Sequence, residues 1–460
     1  MSTAAPSGLR RQVTLPELIA YGLVFIGPAA AVGVFGPLDA KSHGVVPIVY
    51  LVATIAMAFT AASYVLMSRE VPSAGSVYAY ARAGIGPRAG FFTGWIVMLD
   101  YLLIPSVAYL FTGIAMNSLV PVVPVWVWTA GAVALTTAMN LAGSKIAARA
   151  ATIVVVAEVI VLGLVLIVGV WHLATVGPSR GWLTPLTGIG VFSWQAVFAA
   201  VSVAVLSYLG FDAIATFAEE TVGSSRVVGR ATLVCLVLAG ALFVLQTYIG
   251  ALLMEPTPAE LAANPELQGP AYYTAVGEQL SPILHTLLAV AKGIGAAFSA
   301  MVGQAAASRI LLGMGRTGAL PSALTRVSER TGVPMRGILF AATANVALAV
   351  WAATRADGLD LLVSIVDVGA LVAFTLLHAS VIGWFWAGRR HAAGAAPVAR
   401  SVLRHLILPL IGAAILIAVL VNASTIALIV GAVWTVVGVV VMLVRGPGSL
   451  DDPAVTRRAA

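Results

Sequence analysis

The sequence predicts an all-α integral membrane protein with twelve transmembrane helices, and three observations carry that prediction. The first is composition. Of 460 residues, 60% are hydrophobic and only 9% are charged, with a mean hydropathy of +1.01. A soluble domain carries about 25% charged residues, so no soluble fold of this length hides so much apolar surface. The second is run length. A helix needs roughly 20 apolar residues to cross about 30 Å of hydrocarbon. The runs 15–39, 46–68, 89–118, 122–141, 147–173, 192–220, 227–254, 282–312, 336–354, 360–387, 403–421 and 424–444 meet that requirement. Only helices and closed barrels satisfy the backbone in lipid, and these runs are too long and too uniformly apolar for barrel strands. The third is the placement of the bases. The N-terminal tail, the even-numbered loops and the C-terminal tail hold 21 of the 25 Lys and Arg residues. Lys41, Arg180 and Arg355 fall in odd-numbered loops, and Lys292 falls inside a span. Positive charge concentrates on the cytoplasmic side, so both termini are expected in the cytoplasm of a multi-pass protein of the cell membrane.

Taken in order, residues 1–14 form a cytoplasmic tail, 15–444 a single transporter-like membrane domain, and 445–460 a second tail. Arg10 and Arg11 before an apolar run, with Ala29, Ala30 and Ala31 after it, imitate a secretion signal. Eleven further spans follow, so this run reads as the first membrane helix. The two longest loops are 255–281, outside, and 313–335, inside. The first carries Glu255, Glu260, Glu266 and Glu278 with no base. It reads as a solvated acidic loop, or as a helix over the entrance that concentrates cationic solutes.

Several function classes drop out. The net charge of +7 sits in short loops and not in a soluble basic face, so no nucleic-acid partner is expected. The one cysteine, Cys235, allows no disulfide within the chain and no Cys metal cluster. The six histidines show no HExxH pattern, so neither a metal nor another cofactor is expected. None of the lysines Lys41, Lys145 and Lys292 follows a glycine, which excludes a GxxxxGK[ST] phosphate loop. No GxSxG motif stands out, and no enzyme activity is expected.

Two spans carry helix breakers. Span 1 contains GLVFIGPAAAVGVFGP, with Gly27 and Pro28 near its middle and Gly33, Gly36 and Pro37 after them. Span 6 contains LSYLGFDAIATFAEE, with Gly210 beside Asp212. Proline removes a backbone donor and glycine loosens the helix. A pair of interrupted spans at matching positions of two repeats points to a midplane solute site. Freed N–H groups favour anions and freed carbonyls favour cations, so a zwitterion or amine can be held with few charged side chains. The plainer alternative is a pair of ordinary kinks.

Five ionisable residues lie within spans, namely Asp100, Glu158, Asp212, Lys292 and Asp367. Each costs about 2.5–3.5 kcal/mol at a helix centre, so each faces a cavity, a partner or an interface. Asp367 and Lys292 fall closer to the outer ends, where snorkelling is open to them. Glu158 falls about ten residues into span 5, roughly 15 Å along the helix. That depth suits a titrating group, with a permanent pair to Lys292 as the alternative. His378 reads as a buried, hydrogen-bonded histidine before a proton relay. Tyr101, Tyr109, Tyr208 and Phe211 read as packing aromatics or pocket walls.

Three segments resemble the amino acid–polyamine–organocation permeases. They are PSAGSVYAYARAGIGPRAGFFTGW (72–95), SYLGFDAIATFAEETVGSSRVVGR (207–230) and SRILLGMGRTGALPSALTRVSERTGVPMRGI (308–338). GWIVMLDYLLIP (94–105) is similar to the putrescine importer branch, whereas Ala29, Ala30, Ala31, Val32 and Gly33 lack the polar residues that branch tends to carry. Both an amino acid and a diamine therefore stay open. The resemblance implies a LeuT-type 5+5 inverted repeat, with repeat one at 15–173, repeat two at 192–387 and two extra helices at 403–444. It implies a secondary active transporter, a proton-coupled importer of amino acids or polyamines such as putrescine, working by alternating access. An exchanger and a non-transporting nutrient sensor are the alternatives, while a channel lacks any filter-like ring. With the paired breaks, it places the solute against Ile26, Gly27, Pro28, Ala29 and Ala30 and against the carbonyls of Leu206, Ser207, Tyr208 and Leu209. Asp100, in span 3, would meet a protonated amine. Glu158 aligns where several proton-coupled members carry a lysine, which makes it the expected proton-coupling residue, with Asp212 second. The coupling ion is then H+, and the oligomeric state stays open.

Overall fold

Inside a hydrocarbon layer every backbone N–H and C=O needs a partner from its own segment, and the long apolar runs meet that need as helices. The computed structural model describes residues 14–71, 76–142, 144–190, 192–212, 214, 226–316, 323, 327, 328, 331, 333–387 and 400–445. The tails 1–13 and 446–460, the end of expected span 6 at 215–220, and parts of the three family-like segments lie outside these residues.

Ten helices among the described residues are long and apolar enough to cross a membrane. They lie in α3 (Val46–Glu70), α5 (Pro87–Leu119), α6 (Val125–Ala142), α7 (Ser144–Thr175) and α10 (Arg226–Leu253) of the first half and middle of the chain. In the second half they lie in α14 (Pro282–Arg316), α15 (Met335–Ala353) and α16 (Gly358–Trp386), then in α17 (Leu408–Val421, preceded by a π-helical turn at Leu403–Ile407) and α18 (Thr425–Arg445). Short helices α4 (Ser76–Gly84) and α8 (Thr184–Thr187) lie in the connections.

The two remaining expected spans are interrupted. Span 1 is split into α1 (Leu15–Ile26) and α2 (Ala30–Ser42). Between them Gly27 takes φ +74°, a left-handed conformation that side chains rarely adopt, and Pro28 adds no donor. Span 6 starts as α9 (Trp194–Ala204), tightens into a 3-10 turn at Val205–Tyr208 and breaks at Gly210, φ +115°. The two breaks touch. A Cβ on Gly210 would fall 2.8 Å from the Phe25 ring and 3.0 Å from the Phe25 carbonyl carbon.

Helix α5 runs through the centre, packed by α14 on one side and α16 on another. Small residues set the close approaches, as membrane packing requires. A Cβ on Gly303 of α14 would fall 3.0 Å from the ring of Pro105 in α5, and Gly240 of α10 fits against Thr54 of α3. Helices α7 and α18 each turn one face outward. Ile153, Ile160, Ile167 and Trp171 of α7 and Val433, Val436 and Leu443 of α18 are exposed, a lipid-facing pattern. A reciprocal tryptophan pair ties α18 to α5. Trp95 Nε1 donates to the Trp434 carbonyl and Trp434 Nε1 to the Trp95 carbonyl, both at 2.9 Å, with rings stacked 4.8 Å apart.

The acidic loop folds into α11 (Pro258–Ala263), α12 (Pro265–Gln268) and α13 (Ala271–Gln279). Its glutamates Glu255, Glu260, Glu266 and Glu278 are exposed, as expected of a solvated acidic loop, and the loop is helical, with Leu261, Tyr272 and Tyr273 buried. Thr257 and Glu260 form a capping box at the start of α11. The loop seats on α2 where Gly36 leaves no room for a side chain, since a Cβ there would lie 2.1 Å from the Gln268 carbonyl oxygen.

Candidate functional site

The touching breaks enclose a cavity of about 50 Å³, room for a few waters. Phe25 and Ile26 from the end of α1, Gly27 from the break and Ala30 from the start of α2 form one wall. Leu206, Ser207 and Leu209 come from the span 6 break. Helix α5 contributes Ile104, Val107, Ala108 and Phe111, and α14 contributes Lys292, Gly295, Ala296 and Ser299. Both sets follow i, i+3, i+4, i+7 spacing, so each is one helical face. Glu158 enters from α7.

The charges in this cavity are buried and held apart. Glu158 is 2% exposed and Lys292 4%. The Glu158 carboxylate faces the backbone N–H of Ala29, at the positive end of α2, and its Oε1 has no hydrogen-bond partner. Gly295 makes room for it, since a Cβ there would lie 2.7 Å from Oε2. The Lys292 ammonium lies 5.4 Å from the centre of the Phe111 ring, a cation–π contact. Glu158 and Lys292 act on each other electrostatically but are not among the ion pairs found within 4.0 Å among the described residues. The alternative of a direct Glu158–Lys292 pair is therefore not what the structure shows. Lys292 also does not snorkel to an end; it lines the cavity.

The other expected site residues are placed as follows. The Pro28 carbonyl, freed by the break, accepts from Gln246 Nε2 of α10 at 3.1 Å, and Tyr272 of α13 donates to the Gln246 carbonyl at 3.1 Å. Ser207 Oγ lies 2.7 Å from Tyr50 OH. Tyr208 points away from the cavity, bonded to Thr54 at 2.7 Å and packed on Tyr50 and Phe243. Asp100 and Asp212 are buried outside the cavity lining. Asp212 accepts from Tyr101 OH at 3.0 Å and from the Gly210 N–H at 3.1 Å. Asp100 lies one turn beyond Ile104 on α5, near Asp212, with its Oδ1 unpartnered. His378 bonds Ser63 at 2.8 Å, the buried structural role expected of it. The side chain of Asp367 lies outside the described residues.

A second cavity of about 550 Å³ lies one turn along α5, lined there by Leu110 and Ile114 and beyond by Gln268, Gly269 and Asp357. Phe111, packed against Gly33 of α2, lines the first cavity, next in sequence to Leu110 of the second. Lys41 and Asp360 pair across this vestibule. Deeper in the same end, Arg180 binds Asp39 of α2 through two hydrogen bonds, 3.0 and 2.8 Å, and also donates to the Pro256 carbonyl.

Reading residue types alone misses Phe25, Ile104, Val107, Ala108, Phe111, Gly295, Ala296 and Ser299. The two stripes at i, i+3, i+4, i+7 were the available signal, masked because the flanking positions are equally apolar.

The chain matches the family described as amino acid permease over residues 18–449. The low-affinity putrescine importer PlaP of Escherichia coli (strain K12) is 30% identical over 445 residues, covering 94% of this chain and 93% of the importer. The cationic amino acid transporter 2, vacuolar, of Arabidopsis thaliana is 28% identical over 81% of this chain and 60% of its own length. The branched-chain amino acid permease BcaP of Lactococcus lactis subsp. cremoris (strain MG1363) is 27% identical over 71% of each chain.

Proposed function

We propose that this chain, which belongs to the amino acid permease family, imports its solute by alternating access around the cavity between its two interrupted helices. It is a membrane permease for amino acids or polyamines and not an enzyme. The observation that carries the proposal is the buried, half-unpartnered Glu158 carboxylate lying against the N-terminus of α2 in that cavity. In this reading the ten continuous helices and the two interrupted ones make twelve spans, arranged as a 5+5 inverted repeat with α17 and α18 added. In the same reading both termini lie in the cytoplasm and the vestibule, with Lys41 and Arg355, lies outside, which the base distribution supports.

The solute descends through the vestibule, passes Phe111 and lodges between the breaks. The contracted cavity is too small for it, so the halves around α2 and α9 separate to admit it and close behind it. Glu158 takes a proton from the outer side and releases it inside. Its charge changes the attraction to the α2 N-terminus and to Lys292, so the two protonation states favour different packings of α7 against α1 and α14. A ligand moves such an equilibrium only by its differential affinity for the states, and the proton does so here at Glu158. Asp212 is the second candidate for that role.

Reconstitution in liposomes with an imposed pH gradient tests the proposal. Wild-type protein should accumulate an amino acid or amine down the proton gradient, and Glu158→Gln should not. Accumulation by Glu158→Gln equal to wild type removes Glu158 as the coupling group. Uptake that requires preloaded solute and ignores the gradient makes the protein an exchanger instead.

A further inference from the structure

We infer that the solute of the central cavity carries a carboxylate, held by Lys292, and is an amino acid zwitterion with a small apolar side chain and not a diamine. This rests on the carrier reading of the same cavity and narrows its substrate class.

The similar proteins are named for a diamine, for cationic amino acids and for branched-chain amino acids, so they do not decide the class. The charges on the cavity wall do. Two ionisable side chains line it, one acid and one base. Lys292 has no hydrogen bond or ion pair among the described residues; its ammonium rests on the Phe111 ring, which attracts the charge and leaves its N–H donors unused. A buried cation with unused donors is a site for an anion. Glu158 lies against Gly295, three residues and about 4.5 Å of helix rise from Lys292. Acid and base thus meet the cavity from positions within one turn of α14 without forming an ion pair with each other, and a solute that carries both an ammonium and a carboxylate can answer both.

The protonation state of Glu158 does not reverse this argument. With Glu158 ionised, the wall is neutral and matches a zwitterion. With Glu158 protonated, the wall carries one positive charge and draws the carboxylate more strongly. In neither state does it balance two ammonium groups, and one of them would lie beside Lys292 or against the apolar wall of Phe25, Ile104 and Val107. Like charges in a low-dielectric site repel strongly. The same apolar wall suits a short hydrocarbon side chain.

The test is binding to the purified full-length protein in lipid nanodiscs, by calorimetry, with matched probes that differ only in the carboxylate. These are L-alanine, L-valine and L-leucine against ethylamine, isobutylamine and isoamylamine, with putrescine alongside. At least one amino acid should bind tenfold or more tighter than its own decarboxylated amine and than putrescine. Lys292→Met should remove that preference, weakening the amino acid tenfold or more while leaving the amine unchanged, and Lys292→Arg should restore part of it. Amines or putrescine bound by the wild type as tightly as the amino acids would overturn the inference, and that comparison needs no variant to fold. Full amino acid affinity in Lys292→Met would overturn it too. Parallel uptake separates the two readings. Amino acid binding without uptake sinks the carrier and keeps this inference, whereas putrescine uptake without amino acid binding does the reverse.

Discussion

Asp39→Ala should loosen the vestibule end by a calculable amount. Asp39 and Arg180 are among the best enclosed charges of the protein, with side chains 0% and 5% exposed. Two hydrogen bonds join them, a third runs from Arg180 to the Pro256 carbonyl, and Arg180 Nε already has no partner. The clamp joins α2, the segment before α8 and the start of the α11 loop. Deleting the carboxylate leaves a buried guanidinium with the Pro256 carbonyl alone. Breaking a buried pair in this way costs about 3–5 kcal/mol. At about 1.4 kcal/mol per factor of ten, the closed arrangement weakens by roughly two to three and a half orders of magnitude. The assay uses Val107→Cys on the cavity wall and a membrane-impermeant thiol reagent, because the native Cys235 is buried. Labelling of Val107→Cys should speed up about 100-fold or more when Asp39→Ala is added. Replacing both partners, Asp39→Leu with Arg180→Met, should return the rate near wild type, since no unpaired charge remains. An Asp39→Ala protein that melts cooperatively yet labels at the wild-type rate would refute the reasoning.

Three further outcomes are expected. Gly36→Ala places a Cβ 2.1 Å from the Gln268 carbonyl oxygen, so α12 must lift from α2; uptake should fall at least tenfold and vestibule labelling rise. Trp434→Phe removes one hydrogen bond to the Trp95 carbonyl and should lower stability by about 1 kcal/mol with solute affinity unchanged, read by thermal melting and binding together. Glu260 accepts from the Thr257 backbone at 2.7 Å and from its hydroxyl at 3.0 Å, and these bonds hold its carboxyl below the usual glutamate value. Because the folded value is the lower one, the α11 cap is complete above the ordinary carboxylate range and is lost as pH falls through the lowered value. Amide protection in α11, corrected for intrinsic exchange, should drop on acidification, and Glu260→Gln should show no such drop.

Much of the membrane architecture was legible because a span is a length requirement on apolar residues, which a sequence states directly. The expected span 89–118 is Pro87–Leu119, and 282–312 lies within Pro282–Arg316. The breaks were legible because Gly27–Pro28 and Gly210 are the residues a positive φ or a lost donor demands. The facing of side chains was not. Asp100 falls mid-span and on the cavity face of α5, but one turn too far along to line the cavity. Lys292 stands ten residues into α14, the depth its expected span already gave it, and its place on the cavity wall with Glu158 was the part not legible. Nothing local signals that two residues 134 positions apart share a wall, because it depends on how α7 and α14 pack. Tyr208, beside Ser207 in the expected cradle, turns the other way to reach Thr54.

With Glu158 as the proposed coupling group, acid and base on one cavity wall would also set how voltage acts on the carrier. With Glu158 ionised and Lys292 charged, the empty cavity has no net charge, and its return between the two faces does no electrical work. With Glu158 protonated and a zwitterion aboard, the cavity carries one positive charge. A membrane potential is worth about 2.3 kcal/mol per elementary charge per 100 mV. Under the proposed proton coupling, an inside-negative voltage would drive the loaded leg and leave the empty return untouched, and each solute brought in would be accompanied by one charge of inward current.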